Sequence, residues 1–396
     1  MKAAGAGQRP CRTMSGMKKL LFAGAAMLAL FELANVYLIM PMPYSQRWRS
    51  IDVAYTLYSW RWGFRAVACA LTAVTVMAAP RLSTRETVAA TIALVVAGVV
   101  AYSANFVLAA DAMFLEPSTV NMQPAASNTV EPTRLVVGID VNGETRAYPV
   151  QFIGYHHQVR DVVAGTPVMV TFCTVCRTGR VFSPMLDGVL QTFRLVGMDH
   201  FNAMFEDVAT RSWWRQATGE AIVGPRKGKV LADIPSEQMT LAQWLTLHPK
   251  SLIMQADPAS RDEYGNSTDY ETGKSRSELT GTNPDSWQEK SWVVGITLNG
   301  KSRAYDWNRL VHERVINDEL GGQPIALVLA LDSVSFFAYR RPDAATRFSL
   351  AGDRLVAGDR TYDLGGRSES GALTPVFASQ EFWHSWQSFH PDTDTQ

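Results

Sequence analysis

Hydrophobic and polar positions divide the chain into an apolar front quarter and a longer part that alternates. Three apolar runs in the front quarter, at about 20–40, 62–79 and 87–110, are long enough to span a bilayer. Glu32, Arg65 and Asn105 interrupt them. Ionisable groups in lipid are costly and usually paired, so Glu32 and Arg65 are expected to interact and fix helix packing. Arg12, Lys18 and Lys19 precede the first run, Arg81 and Arg85 separate the second from the third, and Asp111 and Glu116 follow the third. The positive-inside rule then places residues 1–19 and the 80–86 loop in the cytoplasm. It makes 20–115 a multi-pass anchor in the cell (inner) membrane, with everything after Asp111 periplasmic or otherwise extracytoplasmic. Arg47, Arg49 and Arg61 in the outer loop run against that bias. Met17, just before Lys18, is a candidate start. Trp48, Ile51, Tyr55, Tyr58 and Trp62 fall on one face of a helix suited to the membrane interface.

Beyond a polar, proline-bearing stretch at 116–132 the period changes to that of strands. Val136–Val141 and Glu144–Tyr148 alternate around Asn142-Gly143, a strong hairpin signal. The pattern recurs from Val293, around Asn299-Gly300. It stays in step without a gap from Asp161 to Asp318, Gly165 to Gly322 and Pro167 to Pro324. Each copy ends in Trp-x-x-x-His-Pro, at Trp244 to Pro249 and Trp386 to Pro391. These repeats predict an α+β fold, with an N-terminal three-helix transmembrane region followed by two tandem homologous β-rich domains at 130–256 and 291–396. The segment 257–290 between them carries Tyr264, Tyr270 and Trp287, which a free linker would not need, so it is expected to wrap the domains.

Two of the four cysteines, Cys173 and Cys176, stand where an apolar strand meets a turn. Gly179 and Pro184 argue against a following helix, so strand, tight turn, strand is expected. Such a pair serves as half of a metal site, a redox couple or a local disulfide. A closed zinc site needs four ligands, and His156, His157, Asp199 and His200 are the candidates to complete it, His156 and His200 foremost. The cofactor implied is a thiolate-bound metal such as zinc; otherwise none is expected. Arg177 is placed to favour thiolate, and His156 is a candidate base. The second copy has Ala330 and Ser333 at the cysteine positions, so the framework does not need thiols to fold. Cys11 and Cys69 are expected to be spectators. Trp214, Arg215 and Gln216 form a candidate binding groove, because adjacent tryptophans in a strand point to opposite faces.

Lys+Arg and Asp+Glu both number 37, so charge gives no reason to expect nucleic acid, and membrane lipid is the one partner foreseen. There is no Gly-x-Ser-x-Gly, His-Glu-x-x-His or phosphate-binding glycine loop. The motifs Arg146-Ala147-Tyr148-Pro149, His156 through Asp161, Gly165-Thr166-Pro167, Cys173-Thr174-Val175-Cys176, Trp214 through Pro225 and Phe382 through Thr393 resemble domain-of-unknown-function family 3179. Members usually have Glu where His157 stands and Asn where Arg160 stands. The resemblance covers most of 134–396 and implies no activity. Two functions are left open. One is a membrane-anchored extracytoplasmic protein with a thiolate-centred site, metal-binding or redox. The other is a non-catalytic binding or assembly module with a structural Cys173–Cys176 disulfide.

Overall fold

The computed structural model describes residues 11–48, 50–78, 83–265, 267–369 and 371–396. The side chains of Cys11, Arg12, Met17 and Lys18, together with Arg49, Pro80 and Arg81, lie outside the described residues. Two compact units are present: one runs to Met113 and takes in Val196–Asp199, and the other comprises Phe114–Leu195 and His200–Gln396.

The first unit is helical: α1 (Cys11–Ile39), α2 (Ile51–Ser59), α3 (Arg61–Ala78) and α4 (Thr84–Tyr102), the last prolonged by a π-turn through Val107. Ser83 and Glu86 close a reciprocal capping box at the start of α4. Among the described residues two helical stretches, Lys19–Ile39 and Thr84–Val107, are long and apolar enough to cross a membrane. The expected middle span is a helix, α3, but does not reach that level, because Arg61 and Arg65 are its first and fifth residues. Three spans are therefore not supported, and two helices stand as candidates among the described residues. The helical face expected over residues 48–62 is broken at Trp60, between α2 and α3. Glu32 and Arg65 do pair, with Arg65 donating to both carboxylate oxygens at 2.7 and 3.0 Å. Asn105 completes the cluster, donating to Glu32 at 2.9 Å and accepting from Arg65 at 2.8 Å. Each polar group is thereby satisfied by another.

The larger unit is α+β. Strands β1 (Met122–Pro124), β2 (Leu135–Val141) and β3 (Glu144–Pro149) lead into α5 (Val150–His156), β4 (Gln158–Val163), β5 (Thr166–Cys173) and β6 (Thr178–Phe182). There follow β7 (Phe193–Asp199), β8 (Asn202–Asp207), β9 (Trp213–Arg215), β10 (Ala221–Val223), β11 (Ser236–Thr240), α6 (Leu241–Leu247) and β12 (Leu252–Met254). The later half has β13 (Trp292–Leu298), β14 (Lys301–Asp306), α7 (Trp307–Glu313), β15 (Val315–Leu320), β16 (Gln323–Leu329), β17 (Phe336–Arg340), β18 (Ala378–Phe382), α8 (Trp383–Phe389) and β19 (Asp394–Thr395).

The hairpin β2–β3 turns through Asn142 and Gly143, both at positive φ, as Asn-Gly turns require. β11 pairs antiparallel with β2, and β12 parallel with β3. In the later half β13–β14 turns through Asn299 and Gly300, β18 pairs antiparallel with β13, and β19 parallel with β14. Each hairpin is tied to the next strand by one carboxylate. Asp161 accepts from Arg146 at 2.5 Å and Tyr148 at 2.8 Å; Asp318 accepts from Arg303 at 2.6 Å and Tyr305 at 2.7 Å. These contacts account for the Arg-Ala-Tyr motif. The two halves share one core, in which Val136, Val170 and Phe172 join Ala326, Val328 and Phe337.

Helices α6 and α8 lie against their hairpins at two glycines. A Cβ on Gly138 would stand 2.3 Å from the Trp244 ring, and one on Gly295 would stand 2.1 Å from Trp386. Rings this close cannot yield without moving the helix. Gly138→Ala or Gly295→Ala is expected to destabilise the unit by about 1–3 kcal/mol, the usual cost of overpacking a core, readable as a lower denaturation midpoint.

Candidate functional site

Cys173 ends β5, residues 174–177 form the turn, and Thr178, which pairs with Cys173, begins β6. Arg177 takes φ 58 to close the turn. Strand, turn, strand is as expected. Both thiols are free and fully buried. They are not joined in the structural disulfide considered for the binding-module alternative.

The sulfurs converge on one acceptor. Cys173 Sγ lies 3.5 Å and Cys176 Sγ 3.2 Å from the Phe201 carbonyl oxygen, and the Ala203 N–H donates to Cys173 Sγ at 3.4 Å. Phe201 sits in the tight turn from β7 to β8, where His200 and Phe201 are both left-handed, at φ 51 and 66. Gln216 braces the other side. Its amide donates to Thr171 Oγ1 and the Thr178 carbonyl and accepts from Asn202, stitching β5, β6 and β8 together.

The cation at the site is Lys290. Its ammonium donates to the Val175 and Leu279 carbonyls, both at 2.7 Å, and lies 3.3 Å from His384 Nε2. Burial raises the Cys173 pKa, but hydrogen bonds from the Cys176 thiol and the Ala203 and Cys176 N–H groups, with the Lys290 charge, outweigh it and leave Cys173 below the ordinary thiol value. Cys176 goes the other way: burial and the adjoining Cys173 sulfur push it well up. Lys290 is itself lowered by burial, opposed by the two sulfurs. His384 is pushed down to about 3 by burial and Lys290, and is therefore a neutral imidazole. The chemistry available is a thiol–thiolate pair with unequal acidities beside a buried ammonium.

Several expected roles fall elsewhere. Arg177 does not turn towards the sulfurs. Its guanidinium donates to Gln380 Oε1 and to the Tyr270 and Glu271 carbonyls, and lies over the Trp292 ring. His156 has both ring nitrogens engaged, one at the Leu115 carbonyl and one at the Tyr264 hydroxyl, so it is neither a ligand nor a base for the thiols. His157 caps α5 at φ 58, and burial pushes it down to about 4. No group of three or more His, Cys, Asp or Glu gathers among the described residues, so Cys173, Cys176, His156 and His200 do not assemble the four-ligand zinc site. The expected groove at Trp214, Arg215 and Gln216 is not open. Trp213 and Trp214 are both buried because both sheet faces are covered, and their indole N–H groups donate to Glu206 and Asp207. Gln216 is the brace described above, and Arg215 lies over the Phe389 ring.

Lys290 and His384 are not reached by motif reading. His384 lies within the Phe382 to Thr393 motif, which was the available signal.

The arrangement defines an α+β protein with a buried dithiol site assembled from both halves of its larger unit. The chain belongs to the family described as protein of unknown function (DUF3179), whose model matches residues 115–393. No curated protein and no solved structure matches it.

Replacing Lys290 with Met removes the cation that favours the Cys173 thiolate. The pH midpoint of Cys173 alkylation is expected to move upward, measured by iodoacetamide rates across a pH series. An unmoved midpoint would show that hydrogen bonds alone set the acidity.

Proposed function

We propose that this chain is a membrane-anchored thiol–disulfide exchange protein, with Cys173 the attacking thiolate and Cys176 its resolving partner. The observation that carries this reading is the Ala203 N–H donated to Cys173 Sγ with the Lys290 ammonium beside the pair, while Cys176 keeps its proton on the Phe201 carbonyl. A purely packed cysteine pair has no use for a buried ammonium, whose desolvation is costly. Both sulfurs are enclosed, which favours a small disulfide as the exchanging partner or a displacement of the Phe201 turn. The apolar stretches Lys19–Ile39 and Thr84–Val107 support the anchor. With the basic residues before Lys19 held in the cytoplasm, the larger unit is extracytoplasmic only where α3 crosses as well; in that compartment free thiols persist chiefly when they have chemistry to perform.

We also read the two halves as an internal duplication in which the first kept thiols and the second did not. The matched order of hairpin, helix and three-stranded sheet supports this, as do the paired Gly–Trp contacts.

The test uses the full chain in detergent with Cys11→Ser and Cys69→Ser. After reduction and brief iodoacetamide treatment at neutral pH, peptide mass spectrometry is expected to find Cys173 labelled well ahead of Cys176. Cys173→Ser/Cys176→Ser is expected to leave the melting temperature unchanged. Equal, slow labelling of both cysteines together with a lowered melting temperature in the double variant would assign them to structure instead.

A further inference from the structure

Resolution of a mixed disulfide on Cys173 requires Cys176 to lose its proton inside the protein. In the closed conformation Cys176 has no exposed surface through which to release it. A buried carboxyl group lies beyond a neighbouring hydroxyl. The Ser385 hydroxyl, on α8, neighbours Cys176 and acts to lower its pKa. It donates to Glu381 Oε2, on β18, at 3.0 Å. Thr178 Oγ1 is 3.4 Å from Ser385 Oγ and donates to the Cys176 carbonyl, which holds the serine against the turn. Glu381 Oε1 accepts from Ser379 at 2.8 Å.

Glu381 is 3% exposed, and no ion pair reaches it among the described residues. Arg180 is the nearby cation, and it pairs with Asp233. A carboxyl group enclosed with hydroxyls alone is costly, and a framework has no need of it. The other half bears this out. Aligned on Trp244 and Trp386, the same strand and helix carry Met239 in place of Glu381 and Gln243 in place of Ser385, and the local fold is the same. The carboxyl and the hydroxyl occur together, and in the half that reaches Cys176.

We propose that Ser385 and Glu381 form a proton relay that deprotonates Cys176 in the resolving step. This rests on the thiol-exchange reading above. The Cys173 thiolate attacks one sulfur of a small disulfide RSSR; that S–S bond breaks and RS⁻ leaves. The Cys176 proton then passes to Ser385 Oγ as the Ser385 proton passes to Glu381 Oε2. The Cys176 sulfur attacks the Cys173 sulfur, the bond to R breaks, and a second RS⁻ leaves. The cysteines lose two electrons, RSSR gains two, and Glu381 holds the proton until solvent takes it. Burial raises Glu381 above the ordinary carboxyl value, which makes its carboxylate a stronger base. The other titratable groups facing Cys176 are Cys173, Lys290 and Tyr270.

The experiment uses the reduced full chain with Cys11→Ser and Cys69→Ser, mixed with one equivalent of 2,2′-dithiodipyridine while thiopyridone release is followed. The first release reports attack by Cys173 and the second reports resolution by Cys176. Glu381→Gln and Ser385→Ala are expected to keep the first phase and slow the second by about 10²-fold, a usual share for general base catalysis. The parent's second phase should slow as pH falls through the raised Glu381 ionisation, and Glu381→Gln should lose that limb. Second phases as fast as the parent's in both variants would overturn the relay and leave the exchange reading intact. Absence of a first phase in the parent would overturn the exchange reading itself. If Glu381→Gln lacks a first phase because its fold is disturbed, Ser385→Ala against the hydroxyl-retaining Ser385→Thr decides. A slow alanine and a fast threonine support the relay, and equal rates overturn it.

Discussion

A single guanidinium holds the thiol turn in place. Arg177 directly follows Cys176, is 2% exposed, and reaches out of the first half to Gln380 on β18 and to two backbone carbonyls of the 257–290 segment. Hydrogen bonds to a charged group are worth about 1.5–3 kcal/mol each, and the Trp292 face adds a cation–π contact. Together they offset the desolvation of a buried charge, which lowers even the arginine pKa. The main chain follows the same route, with Phe382 N–H donating to the Cys176 carbonyl. The turn is thus fastened to the other half at the residues that flank the sulfurs.

Much of the framework was legible because it is local. Asn142-Gly143 and Asn299-Gly300 announced their hairpins through the backbone conformation they tolerate, and the period-2 runs around them fixed which residues face the core. The aromatic content of 257–290 also read correctly. Tyr264 binds His156, Tyr270 donates to the Thr174 carbonyl, and Trp287 packs edge-on to Trp383. The pairing of Glu32 with Arg65 followed from the cost of leaving either alone among apolar residues.

The site was only half legible, for reasons that are equally physical. The thiols share one short motif, but the positive charge that acts on them is that of Lys290, which no spacing rule connects to Cys173. Arg177 was misjudged because adjacency in sequence says nothing about where a long side chain goes once its carbonyl partners are assembled. The tight turn that carries the Phe201 carbonyl has His-Phe in place of Asn or Gly, so its two left-handed residues give no turn signal. Trp213 and Trp214 misled because alternation predicts opposite faces, and it does not tell whether both are covered.

The dependence of the thiols on Lys290 has a consequence for modularity. The segment 257–290 and the later half supply Lys290, Ser385 and Glu381, while the cysteines and the Ala203 N–H belong to the earlier half. The site therefore cannot travel as a cassette. A fusion or natural shuffling event that moved residues up to 256 into another scaffold would transfer the two thiols and the Ala203 N–H without the buried ammonium.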